Sequence, residues 1–154
     1  MNPMEPGSRS LLDSHIQRIL EALRQPSIFS DLPNIRRCAQ LYVRYLKEAG
    51  FQKAFLVETD RSPIVLAEYR SEAPRTILVY NYFDMLPQEN ETYEFQAEVV
   101  PMPPFGKCLT GRGVATKGAG VAFINAVESC VKSGKKLPVN LKFIIEGEEE
   151  IGSP

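Results

Sequence analysis

Residues 139–154 read VNLKFIIEGEEEIGSP, an apolar run that passes straight into the carboxylates of Glu146, Glu148, Glu149 and Glu150. Bounded upstream by the polar turn Ser133-Gly134-Lys135-Lys136, the segment Val139–Ile145 reads as a core strand. A second run of the same character, TILVY at 76–80, leads through Asn81, Tyr82 and Phe83 to Asp84. Continuous apolar runs of this kind fit strands buried on both faces. Between the two runs, residues 118–131 return to helical period through Phe123, Val127, Cys130 and Val131. Strand, helix, strand in that order predicts a right-handed crossover that makes the two strands parallel neighbours. In open α/β sheets, sites form just beyond the C-terminal ends of such strands. That rule puts Asp84 and the Glu146–Glu150 cluster on one rim.

Toward the N-terminus the pattern predicts two helices. Ser10 and Asp13 resemble a capping box ahead of Leu12, Ile16, Ile19, Leu20 and Leu23, and Pro26 ends that pattern. A second helix is expected from near Asp31, with Pro33 in its first turn. Its apolar face runs through Ile35, Cys38, Ala39, Tyr42, Leu46 and Ala49, and Gly50 stands at its C-terminal cap. Phe51–Glu58 and Ile64–Tyr69 read as strands joined by the turn residues Thr59 to Pro63. Residues 86–110 hold Pro87, Pro101, Pro103 and Pro104 and little periodicity, and read as a long ordered loop or irregular edge. The whole is an α/β fold, a mixed sheet flanked by helices.

Composition narrows the function. The chain has 154 residues, 44% hydrophobic and 24% charged, which is globular composition. Eighteen Lys and Arg against nineteen Asp and Glu give a net charge of −1, with no positive field to recruit nucleic acid or an anionic membrane surface. No apolar run approaches the roughly 20 residues of a membrane helix, and MNPMEPGSRS has no signal-peptide apolar region. Cys38, Cys108 and Cys130 are too widely spaced for a disulfide framework or a cysteine zinc site, which points to a reduced, cytoplasmic chain. The single histidine, His15, is flanked by Asp13 and Gln17 and reads as a surface residue. Any metal centre therefore rests on carboxylates.

Crowded carboxylates raise one another's pKa unless a cation compensates. A divalent metal is one such compensation, leaving one carboxylate as general base; a solvated acidic loop is the other reading of the same cluster. Asp84 is equally open, as a site residue or as a turn or cap residue. Gly111-Arg112-Gly113 and Lys117-Gly118-Ala119-Gly120 invite a phosphate-loop reading that fails in detail, since Thr116 stands where the dinucleotide pattern needs glycine. A tight glycine turn feeding a helix N-terminus is the better account. Cys38 and Cys130 fall on apolar helix faces, and Tyr80, Tyr82 and Phe83 read as core or pocket wall.

Three segments, in order, resemble the M20 metallopeptidase family of carboxypeptidase-, dipeptidase- and deacylase-type di-zinc hydrolases. TILVYNYFDMLP (76–87) is similar to that family's strand followed by His-x-Asp and proline. PPFGKCLTGRGVATKGAG (103–120) is similar to its Gly-Arg-Gly, bridging Asp and Lys-Gly stretch, and EGEEEIGSP (146–154) to its Glu-Glu-x-Gly-Ser segment. The resemblance runs from about residue 10 to the last residue. It implies a partial zinc-peptidase catalytic domain. Glu149 would be the general base, Asp84 a carboxylate that bridges or orients at the metals, and Glu150 a metal ligand, with Arg112 and Lys117 as scaffold. It also implies a divalent metal (zinc, with Mn²⁺ or Co²⁺ as options) and a small peptide or N-acyl amino acid as substrate.

The departures from the family pattern set the expectations. Tyr82 stands where the first metal-binding His belongs, and a phenol with a pKa of about 10 is a poor zinc ligand. Val114-Ala115-Thr116 is one residue shorter than the family pattern and lacks the bridging Asp. A catalytic zinc keeps about three protein ligands, and a two-metal site shares a bridge across roughly 3.5–4 Å. Asp84 and Glu150 suffice for a weakly held, hydrated Mg²⁺ or Mn²⁺, not for two zinc ions. Residues 1–154 are thus expected to be the N-terminal portion of an M20-like catalytic domain, ending after the Glu-Glu motif without a lid or dimerisation domain. Two functions follow: a metallohydrolase inactive as this chain alone, or a non-catalytic remnant that binds a partner or peptide. An exposed apolar edge on strand 139–145 and consequent self-association are also expected.

Overall fold

Asp31 starts the second helix as its sequence demands. In the computed structural model, which describes residues 6–88 and 95–154, its Oδ1 accepts the Asn34 N–H at 3.2 Å, with Pro33 in the first turn of α2 (Leu32–Glu48). Gly50 leaves that helix at φ +93°, a conformation that glycine adopts without strain. The preceding helix, α1 (Pro6–Arg24), begins a turn earlier than the Ser10 cap predicts, because a proline is tolerated at the first helical position. β1 (Lys53–Val57) and β2 (Ile64–Tyr69) form the expected hairpin, followed by β3 (Thr76–Tyr82).

The stretch expected to be an irregular loop contains an antiparallel pair, β4 (Ala97–Pro101) and β5 (Lys107–Gly111). The prolines sit at the strand end and in the connection, where a missing N–H breaks no ladder. Residues 89–94 of that stretch lie outside the described residues. From Gly113 the chain makes a π-helical turn (Val114–Gly118) into α3 (Ala119–Lys132), then β6 (Asn140–Glu146) and a 3₁₀ turn (Glu149–Ile151).

The main sheet runs β1-β2-β6-β3. β6 is antiparallel to β2 and parallel to β3, as the crossover argument predicts. β6 is therefore the inner strand, paired on both sides, and the expected exposed edge on residues 139–145 is wrong. The edges are β1 and β3, and Ile77, Leu78 and Tyr80 of β3 are exposed, so its apolar run does not mark a strand buried on both faces. Composition alone does not distinguish an edge whose face is uncovered from a covered strand.

The core lies between the sheet and α2 and α3. Phe143 packs edge-on against Phe51 and Phe123 at ring distances of 5.2 and 5.4 Å, and Tyr42 stacks on Phe83 at 5.6 Å. Cys38 is buried there, whereas Cys130 is only half-buried. A polar seam joins α1 to α3. His15, expected at the surface, is buried, and its Nε2–H donates to Glu128 Oε2 at 3.0 Å. Arg18 also donates to Glu128 and to Asn125 Oδ1 at 2.7 Å, while Lys132 closes on the other Glu128 oxygen at 2.6 Å. Residues two positions away, Asp13 and Gln17, lie off the His15 helix face, so their polarity was no guide to its burial. No helix of the described residues is long and apolar enough to cross a membrane.

Candidate functional site

The parallel register sets Tyr82 beside Glu146, so β3 and β6 leave the sheet together. The Phe83 N–H donates to Glu146 O at 3.0 Å, and the next residues are pinned on their other side by Met85 N–H to Ser27 O at 2.9 Å and Phe29 N–H to Met85 O at 3.1 Å. Asp84, between these anchors, is fully buried. Gly147 follows β6 where no side chain fits: a Cβ there would stand 2.6 Å from Phe83 Cε2 and from Ser62 Oγ. The close approach brings the turn after β6 over Asp84. Asp84 Oδ1 accepts the Glu149 N–H at 3.1 Å and Oδ2 accepts the Glu150 N–H at 2.9 Å.

The structure thus brings Asp84, Glu149 and Glu150 to one rim, joined by backbone hydrogen bonds. Burial pushes the Asp84 carboxyl above the usual carboxylate range, and its hydrogen bonds to backbone N–H groups oppose that rise without cancelling it. Glu149 is raised as well, by partial desolvation and then by repulsion from Glu150, Asp84 and Glu146. Tyr82 faces the same charges. Desolvation and the carboxylates of Glu149, Glu150 and Asp84 push its phenol up, so at neutral pH it stays protonated.

Three contacts at the rim had no signature in the sequence. Tyr80 donates its hydroxyl to Glu146 Oε1 at 2.5 Å, Ser153 Oγ donates to the same oxygen at 2.8 Å, and Arg61 Nε lies 2.9 Å from Glu148 Oε1. Tyr80 is therefore an exposed rim residue instead of core, with its phenol pushed up to about 12 by desolvation and by Glu146. Arg61 comes from the β1–β2 turn, which only the assembled sheet brings to the end of β6. Thr59, Arg61, Ser62, Glu146, Glu148 and Pro154 border a groove of about 450 Å³. A larger cavity of about 820 Å³, between α1 and α2, includes none of the rim residues.

The glycine-rich turn is scaffold. Arg112 donates to Leu86 O and its guanidinium sits 5.5 Å above the Phe95 ring. Lys117 is buried, donating from Nζ to Gln25 O at 2.8 Å, close to Leu23 O at 3.5 Å and 4.7 Å from the Phe95 ring centroid. Its ammonium thus satisfies carbonyls at the C-terminal end of α1, where a cation is favoured, and is not offered to a phosphate. Burial lowers its pKa to about 8.

The donor set does not fit a di-metal centre. Both Asp84 oxygens are directed at backbone N–H groups, the residue at the first histidine position is a protonated phenol, and His15 is committed to Glu128. Among the described residues, no group of three or more His, Cys, Asp and Glu side chains is placed to hold a metal ion.

No family model matches the chain. Individual relatives do. The chain is 30% identical to the Cys-Gly metallodipeptidase DUG1 of Candida albicans, over 99% of this chain and 35% of that protein. Its fold superposes on the dipeptidase Dug1p of Saccharomyces cerevisiae with a TM-score of 0.78 and 28% identity, over 94% of this chain and 34% of that one. The M20 family metallo-carboxypeptidase Sso-CP2 of Sulfolobus solfataricus gives a TM-score of 0.74 and 29% identity, over 90% and 32%. By fold and by sequence, then, this chain is M20 metallopeptidase-like. It spans about a third of the length of the relatives it matches.

Proposed function

We propose that the chain corresponds to the N-terminal portion of an M20-type catalytic domain, with a small peptide or N-acyl amino acid as its substrate class, and that it does not turn over on its own. The observation that carries this reading is the use of Asp84: its carboxylate holds the backbone of Glu149 and Glu150, which leaves too few free donors for a pair of metal ions. The dipeptidase relatives and the groove of about 450 Å³ beside the rim support the substrate class, since such a volume suits a small ligand. Glu149 is the group suited to take a proton, because its raised pKa makes it a stronger base than an isolated glutamate. A cytoplasmic setting belongs to the same reading and is supported by three free cysteines.

The alternative is a working metallohydrolase with Glu149 as base and Asp84 and Glu150 as ligands to zinc, Mn²⁺ or Co²⁺. The convergence of these three residues on one rim is what favours it. Calorimetric titration with Zn²⁺, paired with fluorogenic dipeptide and N-acetyl amino acid assays in Zn²⁺, Mn²⁺ or Co²⁺, separates the two. We expect no sub-micromolar zinc binding and no turnover. Sub-micromolar binding, with turnover abolished by Glu149→Gln, replaces the first reading with the second.

A further inference from the structure

Lys117 is fully buried, and the groups it holds lead to both neighbours of Asp84. Its ammonium donates to Gln25 O at 2.8 Å. Two residues on, Ser27 O accepts the Met85 N–H at 2.9 Å, and Ile28 and Met85 form a parallel bridge. The Lys117 backbone carbonyl accepts the Tyr42 hydroxyl at 3.2 Å, and the Tyr42 ring stacks on Phe83 at 5.6 Å. Phe83 and Met85 stand on either side of Asp84 in the chain. The lysine stem and the Met85 side chain converge as well: a Cβ on Gly113 would stand 2.9 Å from Lys117 Cε and 2.9 Å from Met85 Cε.

Burying an ammonium costs free energy that only well-placed acceptors offset. Lys117 finds them in carbonyls at the end of α1 and in the Phe95 ring. A methionine would fill the same volume without that cost, so filling space does not account for a cation here. What the ammonium adds is direction. It fixes the carbonyl of Gln25, and with it the segment 25–29 that pairs with Met85. A carboxylate held at both neighbours keeps one orientation, and Asp84 uses it to bind the Glu149 and Glu150 N–H groups at 3.1 and 2.9 Å. Placement at this tolerance is set by the supporting groups as much as by the residue itself.

We propose that Lys117 is the positioning residue for Asp84, and through it for the turn that carries Glu149 and Glu150. The glycine-rich turn is then a clamp on the rim, in addition to an entry into α3. The assignment concerns geometry and holds whether or not the rim turns over.

Amide hydrogen exchange and amide chemical shifts of the full chain, read by NMR, test it. Lys117→Met keeps the length of the stem and removes the ammonium. The Glu149 and Glu150 amides are expected to exchange about tenfold or more faster relative to those of the β2–β6 ladder. Their resonances are expected to move upfield as the bonds to Asp84 lengthen. Local opening changes these two amides selectively, whereas a loss of overall stability speeds all of them together. Tyr42→Phe removes one hydroxyl and loosens only the Phe83 arm, so an acceleration of about threefold is expected at the same two amides. That variant carries the test if Lys117→Met does not fold. Lys132→Met, which strips an ammonium from the α1–α3 seam instead, is expected to leave both amides unchanged. Wild-type exchange at Glu149 and Glu150 in Lys117→Met, or in Tyr42→Phe where that variant stands in, overturns the proposal. Acceleration of the ladder amides by the same factor, or the same local effect from Lys132→Met, overturns it too.

Discussion

Asp84 and Glu150 are linked through the backbone: a fully buried carboxylate oxygen accepts the Glu150 N–H at 2.9 Å, and its twin takes the Glu149 N–H at 3.1 Å. Two half-buried glutamates are thereby oriented by a fully buried carboxylate. Asp84 is a positioning residue, and its loss is a structural event first.

Replacing Asp84 by Ala leaves two N–H donors without their acceptor, at a cost of about 2 kcal/mol in folding stability. Asp84→Asn keeps one carbonyl acceptor and is expected to lose about half as much. Urea denaturation of both variants checks the order. Equal stability of all three proteins would mean that the cap contributes nothing.

The α1–α3 seam predicts a two-stage loss of stability in acid. Burial lowers the His15 pKa below its ordinary 6.5, outweighing the pull of Glu128, while Arg18 and Lys132 oppose the charged form further. The folded state then binds fewer protons at this site than the unfolded chain, so stability is present above about pH 6.5 and falls as the pH drops below it. Glu128 is held down to about 2 by Arg18 and Lys132 against the penalty of burial, compared with an ordinary 4.5. Its contribution is present above pH 4.5 and is lost as the pH falls toward 2. His15→Gln should abolish the first decline in denaturant midpoint and leave the second intact.

Removing the Glu128 charge itself is more damaging. Glu128→Gln strips the charged partner from a half-buried Arg18 and from the buried His15, and is expected to cost about 3 kcal/mol. Thermal unfolding at pH 7 measures it, and the surface pair Arg36–Glu58 provides the contrast. Breaking that pair with Glu58→Gln is expected to cost about 0.5 kcal/mol or less.

Gly120 and Gly147 are positions of close approach. A Cβ at Gly120 would stand 2.1 Å from Asn81 Oδ1, and one at Gly147 2.6 Å from the Phe83 ring. Gly120→Ala is absorbed if the Asn81 amide rotates, whereas Gly147→Ala meets a buried ring. The expected costs are about 1 kcal/mol and about 3 kcal/mol respectively. Chemical denaturation of the pair tests that ranking.

Tyr82→His replaces a protonated phenol with an imidazole facing Glu149 and Glu150. Zinc affinity, read by calorimetry, is expected to rise about tenfold or more, because a third donor joins the set. An unchanged isotherm would show that the rim cannot bring these groups onto one ion.

Much of this architecture is visible in the residues alone. The bounds of β2, the Asp31 start of α2 and the parallel pairing of β3 with β6 follow from turn chemistry, capping and the crossover rule. The meeting of Asp84 with Glu149 and Glu150 follows too, because two parallel strands end at the same rim. What the residues did not reveal depends on long-range order. TILVY looks the same whether a strand and a helix cover it or not, so its place at the edge was hidden. His15 was hidden because the groups that bury it, Arg18, Asn125 and Glu128, come mostly from another helix. The bonding of both Asp84 oxygens to the Glu149 and Glu150 N–H groups turns on ångström-scale placement, which no spacing rule encodes.

The strand order has a consequence for biogenesis. β6 is an inner strand and comes latest in sequence of the four described, so β3 lacks its β6 partner until residues 140–146 have left the ribosome. The β1–β2 hairpin can form early from local contacts, but the nascent chain must carry TILVY unpaired through the synthesis of some sixty further residues. Translation speed across that interval, and the holdase chaperones available during it, therefore bear on the yield of native protein more than the strength of any single contact in the finished fold.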